Sequence, residues 1–101
     1  MGSRLELQTK LEELLGNRNV YYQSPENLKM EYPAIRYSKS NISSIHADGI
    51  KYSNFTRYEI TVIDRRPDND VINKILSLPL SSYDRHYTSD NLNHDTIILY
   101  F

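Results

Sequence analysis

Cysteine and tryptophan are absent from the 101-residue sequence, and glycine occurs only three times. The absence of cysteine excludes disulfides, thiolate zinc sites and cysteine nucleophiles. Three glycines are too few for a glycine-rich phosphate loop, and no serine lies in a Gly-x-Ser-x-Gly motif. No apolar run approaches the length of a membrane span, and the N-terminus has no signal-peptide pattern. We therefore expect synthesis in a cytoplasm, no membrane partner and no cofactor.

Excess charge of one sign is also lacking. Twelve Lys and Arg residues balance thirteen Asp and Glu residues, which gives a net charge of −1 and a pI near 6.3. A nucleic-acid reader usually carries a basic stripe, so DNA binding is not expected as the main activity. Near-zero charge also removes long-range repulsion between copies of the chain. The length corresponds to a single domain over residues 1–101.

The segment FTRYEITVID, residues 55–64, alternates apolar and polar side chains and predicts a half-buried central strand. Helical spacing of leucines predicts a helix over residues 4–15, which Gly16 ends. A second helix over residues 71–78 is capped by Asp68 or Asp70. Further strands are predicted over residues 19–23, 34–38, 82–88 and 96–101, with a polar loop at 89–95. The order predicts an α+β fold, a single domain with a mostly antiparallel sheet of four to five strands and two helices on one face.

A long polar segment, about residues 39–54, separates two of these strands. Apolar residues punctuate it too regularly for a linker, and they are Ile42, Ile45, Ile50 and Tyr52. We interpret the segment as a projecting loop, because long ordered loops in small domains are often functional.

One crowded polar cluster surrounds the last two strands and consists of Asp84, His86, Asp90, His94 and Asp95. Asp84 and His86, two residues apart, are expected to share a strand face, and His94 could approach from the partner strand. Imidazole and carboxylate groups suit a metal such as zinc. The spacing matches no compact motif, however, and turns rich in Asp and Asn use these side chains for their own hydrogen bonds. We favour a structural or interfacial role, and keep a small metal-dependent enzyme as an alternative.

Arginine and tyrosine provide two further candidate contact surfaces. Arg65 and Arg66 adjoin several aspartates, which predicts ion-paired turns more strongly than a phosphate site. A weakly positive ring of these arginines inside an oligomer is kept as an alternative. Nine tyrosines suit either subunit interfaces or half-exposed strands. Tyr37 and Tyr58 are predicted in the core. The predicted interface residues are Tyr21, Ile42, Ile45, Ile50, Tyr52, Arg65, Arg66 and Tyr87.

Several segments together resemble a family of small phage proteins encoded among the head-to-tail joining and tail genes of long-tailed phages and prophages of Gram-positive bacteria. The segments are NVYYQSP (19–25), MEYPAIRY (30–37), YEITVIDRRP (58–67), YDRHY (83–87) and DNLNHD (90–95). The resemblance spans nearly the whole chain. Its most specific part is DRHYTSDNLNHD, residues 84–95.

The resemblance implies a tail terminator, or tail-completion protein. Such a subunit forms a homohexameric ring that caps the head-proximal end of the tail tube in the virion. It stops tail polymerisation and presents a surface to the head–tail connector, or neck, proteins. The expected partners are thus further copies of itself, the tail tube protein and the connector, with DNA at most passing through the ring lumen. No enzymatic activity is implied. A head-completion or neck protein and a monomeric adaptor that binds a partner through a sheet edge are further alternatives.

Overall fold

The structure is a computed structural model that describes residues 4–23, 31–39, 56–67 and 69–101. Its elements in chain order are α1 (Arg4–Leu15), β1 (Val20–Tyr22), β2 (Ala34–Lys39), β3 (Arg57–Asp64), α2 (Asp70–Leu76), β4 (Ser81–Ser89) and β5 (Leu92–Tyr100). The predicted element order and the α+β fold are confirmed. Of the predicted projecting loop, only Lys39 lies within the described residues, as the last residue of β2.

The strands form one sheet in the order β1-β2-β3-β5-β4. β1 pairs with β2 in parallel, and all other neighbours are antiparallel. In the central pairing Ile60 lies opposite Tyr37 on one side and Ile97 on the other. Because directly paired residues share a face, this register defines a covered face that bears the apolar residues and an open face that bears the alternate ones.

The core lies between the covered face and the two helices. Both helices contact each other, α1 also contacts β1 and β2, and α2 contacts β4 and β5. The buried core residues are Leu7, Leu11, Val20, Ile35, Tyr37, Tyr58, Ile60, Val62, Val71, Ile75, Ile97 and Leu99. The prediction that Tyr37 and Tyr58 are core residues is confirmed, since they are 1% and 2% exposed.

Helix α1 is joined to the sheet through the Tyr37 hydroxyl. That hydroxyl donates to Oε1 of Gln8, whose Nε2 donates to the Val20 carbonyl at 3.1 Å. The helix ends where predicted, because Gly16 adopts φ +85° and its N–H returns to the Glu12 carbonyl at 2.9 Å. A side chain at this φ would be strained, which explains the glycine.

The β3–α2 turn is organised by the buried Asp64. Its Oδ1 accepts the Arg65 N–H at 2.7 Å, and its Oδ2 accepts the Asn69 amide at 2.6 Å. Asn69 in turn accepts the Val71 N–H at 2.8 Å and is the N-cap of α2. The prediction that Asp70 caps the helix was wrong, because Asp70 is the first residue inside α2. The other predicted cap, Asp68, lies outside the described residues. Asp68, Asn69 and Asp70 are consecutive, and each is a residue type that favours the N-cap position. Of the three, only the asparagine has a side-chain N–H, which it donates to Asp64.

The predicted polar loop at residues 89–95 is wrong, because β4 and β5 form a hairpin with only two turn residues. Asp90 and Asn91 have φ values of 54° and 62°. Positive φ at both central residues is the pattern of a type I′ turn, whose twist matches that of paired strands. The hairpin register slips once, between Tyr83 and Arg85, so that Asp84 is an extra residue in a β-bulge.

Candidate assembly surface on the outer hairpin

The outer hairpin, which consists of β4 and β5, carries an exposed edge strand. Residues 82–89 of β4 are all exposed, although residues of both faces are among them. Tyr83 is 46% exposed and Tyr87 is 41% exposed, and the neighbouring Leu80 is 41% exposed. A nine-residue strand at the edge of the described sheet, with exposed aromatic side chains, is typical of a contact surface.

On the covered face, Tyr83 and His86 both bind the carboxylate of Asp95. The Tyr83 hydroxyl donates to Oδ1 at 2.7 Å, and Nδ1 of His86 lies 2.9 Å from the same oxygen. Asp95 is buried, whereas the His86 side chain is 39% exposed. The carboxylate therefore orients two exposed rings from below, an arrangement that fixes their positions before any partner binds.

The Asp95 carboxylate also determines the ionisation of Tyr83. The hydrogen bond to Asp95 raises the pKa of the Tyr83 phenol to about 12, with smaller contributions from burial and from the negative charge of Asp95. The phenol therefore stays protonated at neutral pH and acts as a hydrogen-bond donor. The hydrogen bonds to Asp95 thus fix the orientation of the Tyr83 and His86 side chains on the hairpin surface.

On the open face, a stack of three side chains covers the same hairpin. Tyr87 and His94 are directly paired, and their rings stack with centroids 4.6 Å apart and an interplanar angle of 13°. The guanidinium of Arg85 lies 5.7 Å from the centre of the Tyr87 ring. A cation and two stacked rings on an exposed sheet face form a rigid, amphipathic contact area.

The metal site considered from the sequence is not assembled. His86 pairs with Asp95 on the covered face and His94 pairs with Tyr87 on the open face, so the two imidazoles lie on opposite faces. The bulge also shifts the alternation, and Tyr83 rather than Asp84 shares the face of His86. Both geometric expectations were wrong. Across residues 4–23, 31–39, 56–67 and 69–101, no group of three His, Asp or Glu residues could hold a metal ion.

The predicted interface residues lie in separate places. Tyr87 lies on β4, while Tyr21 lies on β1, half-buried and paired with Arg36 on the open face. Arg65 and Arg66 are exposed in the β3–α2 turn, where Arg66 pairs with Asp64 at 3.6 Å. The other four predicted positions, Ile42, Ile45, Ile50 and Tyr52, lie outside the described residues. Among the eight, Tyr21 and Tyr87 thus mark the two opposite edges of the sheet.

The open face between these edges holds a shallow concavity of about 230 Å³. Polar groups from three neighbouring strands line it, including Arg36, Glu59 and His94. Nearby, the buried Thr96 pairs with Thr61, and its hydroxyl has no hydrogen-bond partner that the structure describes. Mixed charge and small volume suit a surface that another protein covers better than an enclosed ligand site.

The sequence pattern predicted Tyr87 as a contact residue and His86 and Asp95 as members of one cluster, but it did not predict the roles of Tyr83 and Arg85. A signal for them exists in the sequence. Residues 81–89 read SSYDRHYTS, with polar groups at both alternating sets of positions and strand-favouring Tyr and Thr among them. Such a pattern indicates a strand exposed on both faces, and its aromatic residues are then contact candidates.

Comparison with known proteins gives no relative: no family model, no curated protein and no solved structure matches the chain. Within the described residues, neither helix has the length and apolar character that crossing a bilayer requires.

Proposed function

We propose that this chain is a structural protein of a long-tailed phage, a tail terminator that forms a ring on the head-proximal end of the tail tube. The observation that carries the proposal is the exposed β4 strand with Tyr83 and Tyr87, which supports assembly through a sheet edge. The sequence resemblance supports the biological setting.

The sheet order supports a head-to-tail ring. β4 and β1 are its two outer strands, and they carry Tyr87 and Tyr21 respectively. Four strand spacings separate them, or about 19 Å. A closed ring of identical copies needs two different contact surfaces on each subunit, so that one surface meets the other on the next copy.

Termination then follows from shape alone. A subunit that fits the last ring of the tube, without offering a copy of the tube's own growing surface, ends the addition of further rings. Such a role requires rigid contact surfaces and no bond-making step. The oriented rings of Tyr83 and His86 on the buried Asp95 are consistent with it.

The decisive experiment removes the gene from the phage and measures tails by electron microscopy. We expect tail tubes of abnormal length and unjoined heads. A plasmid copy should restore normal length, and a copy lacking residues 41–51 should fold but fail to cap. Attached tails of normal length without the protein would exclude the proposal.

Two rivals give different outcomes in the same experiment. A head-completion or neck protein would leave free tails of normal length and heads that leak DNA. A monomeric adaptor, which the exposed edge of β4 also favours through β-strand addition, would bind one partner without forming rings.

A further inference from the structure

Among the described residues, no strand pairs with the outer edge of β4, and this edge is complementary to the same edge of a second copy. We propose that, before assembly, two copies pair through β4 as an antiparallel two-fold dimer in which Ser82 lies opposite Tyr87, Tyr83 opposite His86, and Asp84 opposite Arg85. The dimer itself is argued from β4 alone; its role as a form that precedes ring assembly rests on the proposed function.

The bulge at Asp84 permits this register. In a regular antiparallel pair, opposite residues share a face. Side-chain contacts place Tyr83 and His86 together on the covered face, and Arg85 and Tyr87 together on the open face. Tyr83 and His86 are three residues apart, a spacing that crosses faces in an unbulged strand. In the proposed register, the bulge therefore lets every flanking residue meet a residue of its own face.

The bulge also makes this edge selective. A strand without a bulge can pair with β4 on both sides of Asp84 only if one of its residues lies opposite two residues of β4. In β5 this residue is Thr96, which lies opposite Asp84 and Arg85. A second copy, running antiparallel, brings its own bulge to the same place. Two residues then face two, and pairing continues on both sides. A bulge in an edge strand normally prevents regular strands of other proteins from pairing with it. The strand that fits this edge best is therefore one that carries the same bulge.

The charged residues of β4 also favour this register. Asp84 is the one acidic residue of β4 and Arg85 is its one arginine, and both side chains are exposed. The two-fold axis falls between them, so each Asp84 faces Arg85 of the other copy and the contact contains two opposite-charge pairs. Pairing shifted by one residue would place Arg85 opposite Arg85 or Asp84 opposite Asp84, which repels.

A two-fold contact closes after two copies, whereas a ring requires a head-to-tail contact. The dimer and the ring therefore compete for the same edge. The dimer would keep the nine-residue strand from pairing with other proteins until the tail tube offers a more extensive contact.

Cysteine cross-linking tests the register, because the chain has no other thiol. We expect an equimolar mixture of Ser82→Cys and Tyr87→Cys to form a mixed disulfide dimer on mild oxidation. Opposed residues lie about 5 Å apart, within disulfide reach, whereas two copies of position 82 would lie about 17 Å apart. Ser82→Cys mixed with Thr88→Cys is the matched control, since these residues lie on opposite faces and should not cross-link.

Charge exchange tests the centre of the contact without any covalent bond. Asp84→Arg alone and Arg85→Asp alone should each raise the dimer dissociation constant about tenfold or more, because each places like charges together. Mixing the two variants restores both opposite-charge pairs, and a heterodimer of near wild-type affinity should form. Sedimentation analysis measures all three samples, and unchanged denaturation midpoints show that the variants fold.

A mixed disulfide between positions 82 and 87, together with charge rescue, supports the proposal. A monomer at all concentrations, cross-links at other position pairs, or rings formed without a dimer would overturn it. None of these results depends on tail length, so the dimer can fail while the tail-terminator proposal stands, and the reverse also holds.

Discussion

Tyrosine serves two different purposes at the two sides of this sheet. On the α1 side, Tyr37 is 1% exposed and its hydroxyl bonds to Gln8, with the rings of Tyr22 and Tyr58 at 4.9 and 6.0 Å. On the outer hairpin, Tyr83 and Tyr87 are nearly half exposed. The inner tyrosines thus hold the helix layer on the sheet, while the outer ones are available to another protein.

Truncating one tyrosine on each side should give the largest difference in stability between the two regions. Tyr37→Ala should lower the free energy of unfolding by about 3–5 kcal/mol, because it leaves a cavity under α1. Urea denaturation measures the change, and Tyr87→Ala on the same background is the matched control. A loss below about 1 kcal/mol for Tyr37→Ala would contradict the assignment of this ring to the core.

The second test concerns the turn that anchors α2. Asp64→Ala should destabilise the fold by about 2–3 kcal/mol, because it leaves the buried Asn69 amide and the Arg65 N–H without their acceptor. Asp70→Ala, which removes an exposed acid in the first turn of α2, should cost about 0.5 kcal/mol. Equal denaturation midpoints for the two variants would show that Asp64 does not organise the turn.

Thr96 allows a test in the stabilising direction. Thr96→Val keeps the shape and removes a buried hydroxyl for which the structure describes no partner. We expect the free energy of unfolding to rise by about 1 kcal/mol, since desolvating that group gives no compensating bond. Thr61→Val, at the half-buried position opposite on β3, is the control. Destabilisation by Thr96→Val would mean that this hydroxyl is satisfied in solution.

The Tyr83–Asp95 bond makes the stability of the outer hairpin depend on pH. In the folded chain the pKa of Tyr83 is about 12, above its ordinary value of 10. The stabilising contribution is therefore complete below pH 10 and is lost as the pH rises from 10 to 12. Ultraviolet titration of tyrosinate, as a difference from Tyr83→Phe, should show a step near pH 12 that Asp95→Asn moves toward 10. A difference step already near 10 in the parent chain would contradict the bond.

The smallest effect on stability should come from Tyr87. Tyr87→Ala removes an exposed ring that stacks on His94, and its free energy of unfolding should change by no more than about 0.5 kcal/mol. Under the proposed function, the same variant should impair capping when supplied to a phage that lacks the gene. Full capping by Tyr87→Ala would remove this ring from the contact surface.

Periodic apolar residues predicted most of the fold. The leucines of α1 and the alternation of β3 gave their elements, because burial on one face requires such spacing. The hairpin turn was missed, because Asp90-Asn91 lies among other polar residues and lacks the glycine that usually marks a type I′ turn. The bulge at Asp84 was equally hidden. Because the extra residue changes which side chains share a face of β4, Tyr83 lies on the face of His86, where the sequence had predicted Asp84.

The bulge has a consequence for how the length of this strand can vary. Removing Asp84 would join Tyr83 directly to Arg85 and produce a regular alternation in which every other β4 side chain keeps its present face. Removing Arg85 would have the same effect on the alternation, because Asp84 would take its place, whereas removing any residue from 86 to 88 would turn part of the strand over. Natural variants of this chain that are one residue shorter in β4 should therefore have lost one of the two residues at positions 84 and 85.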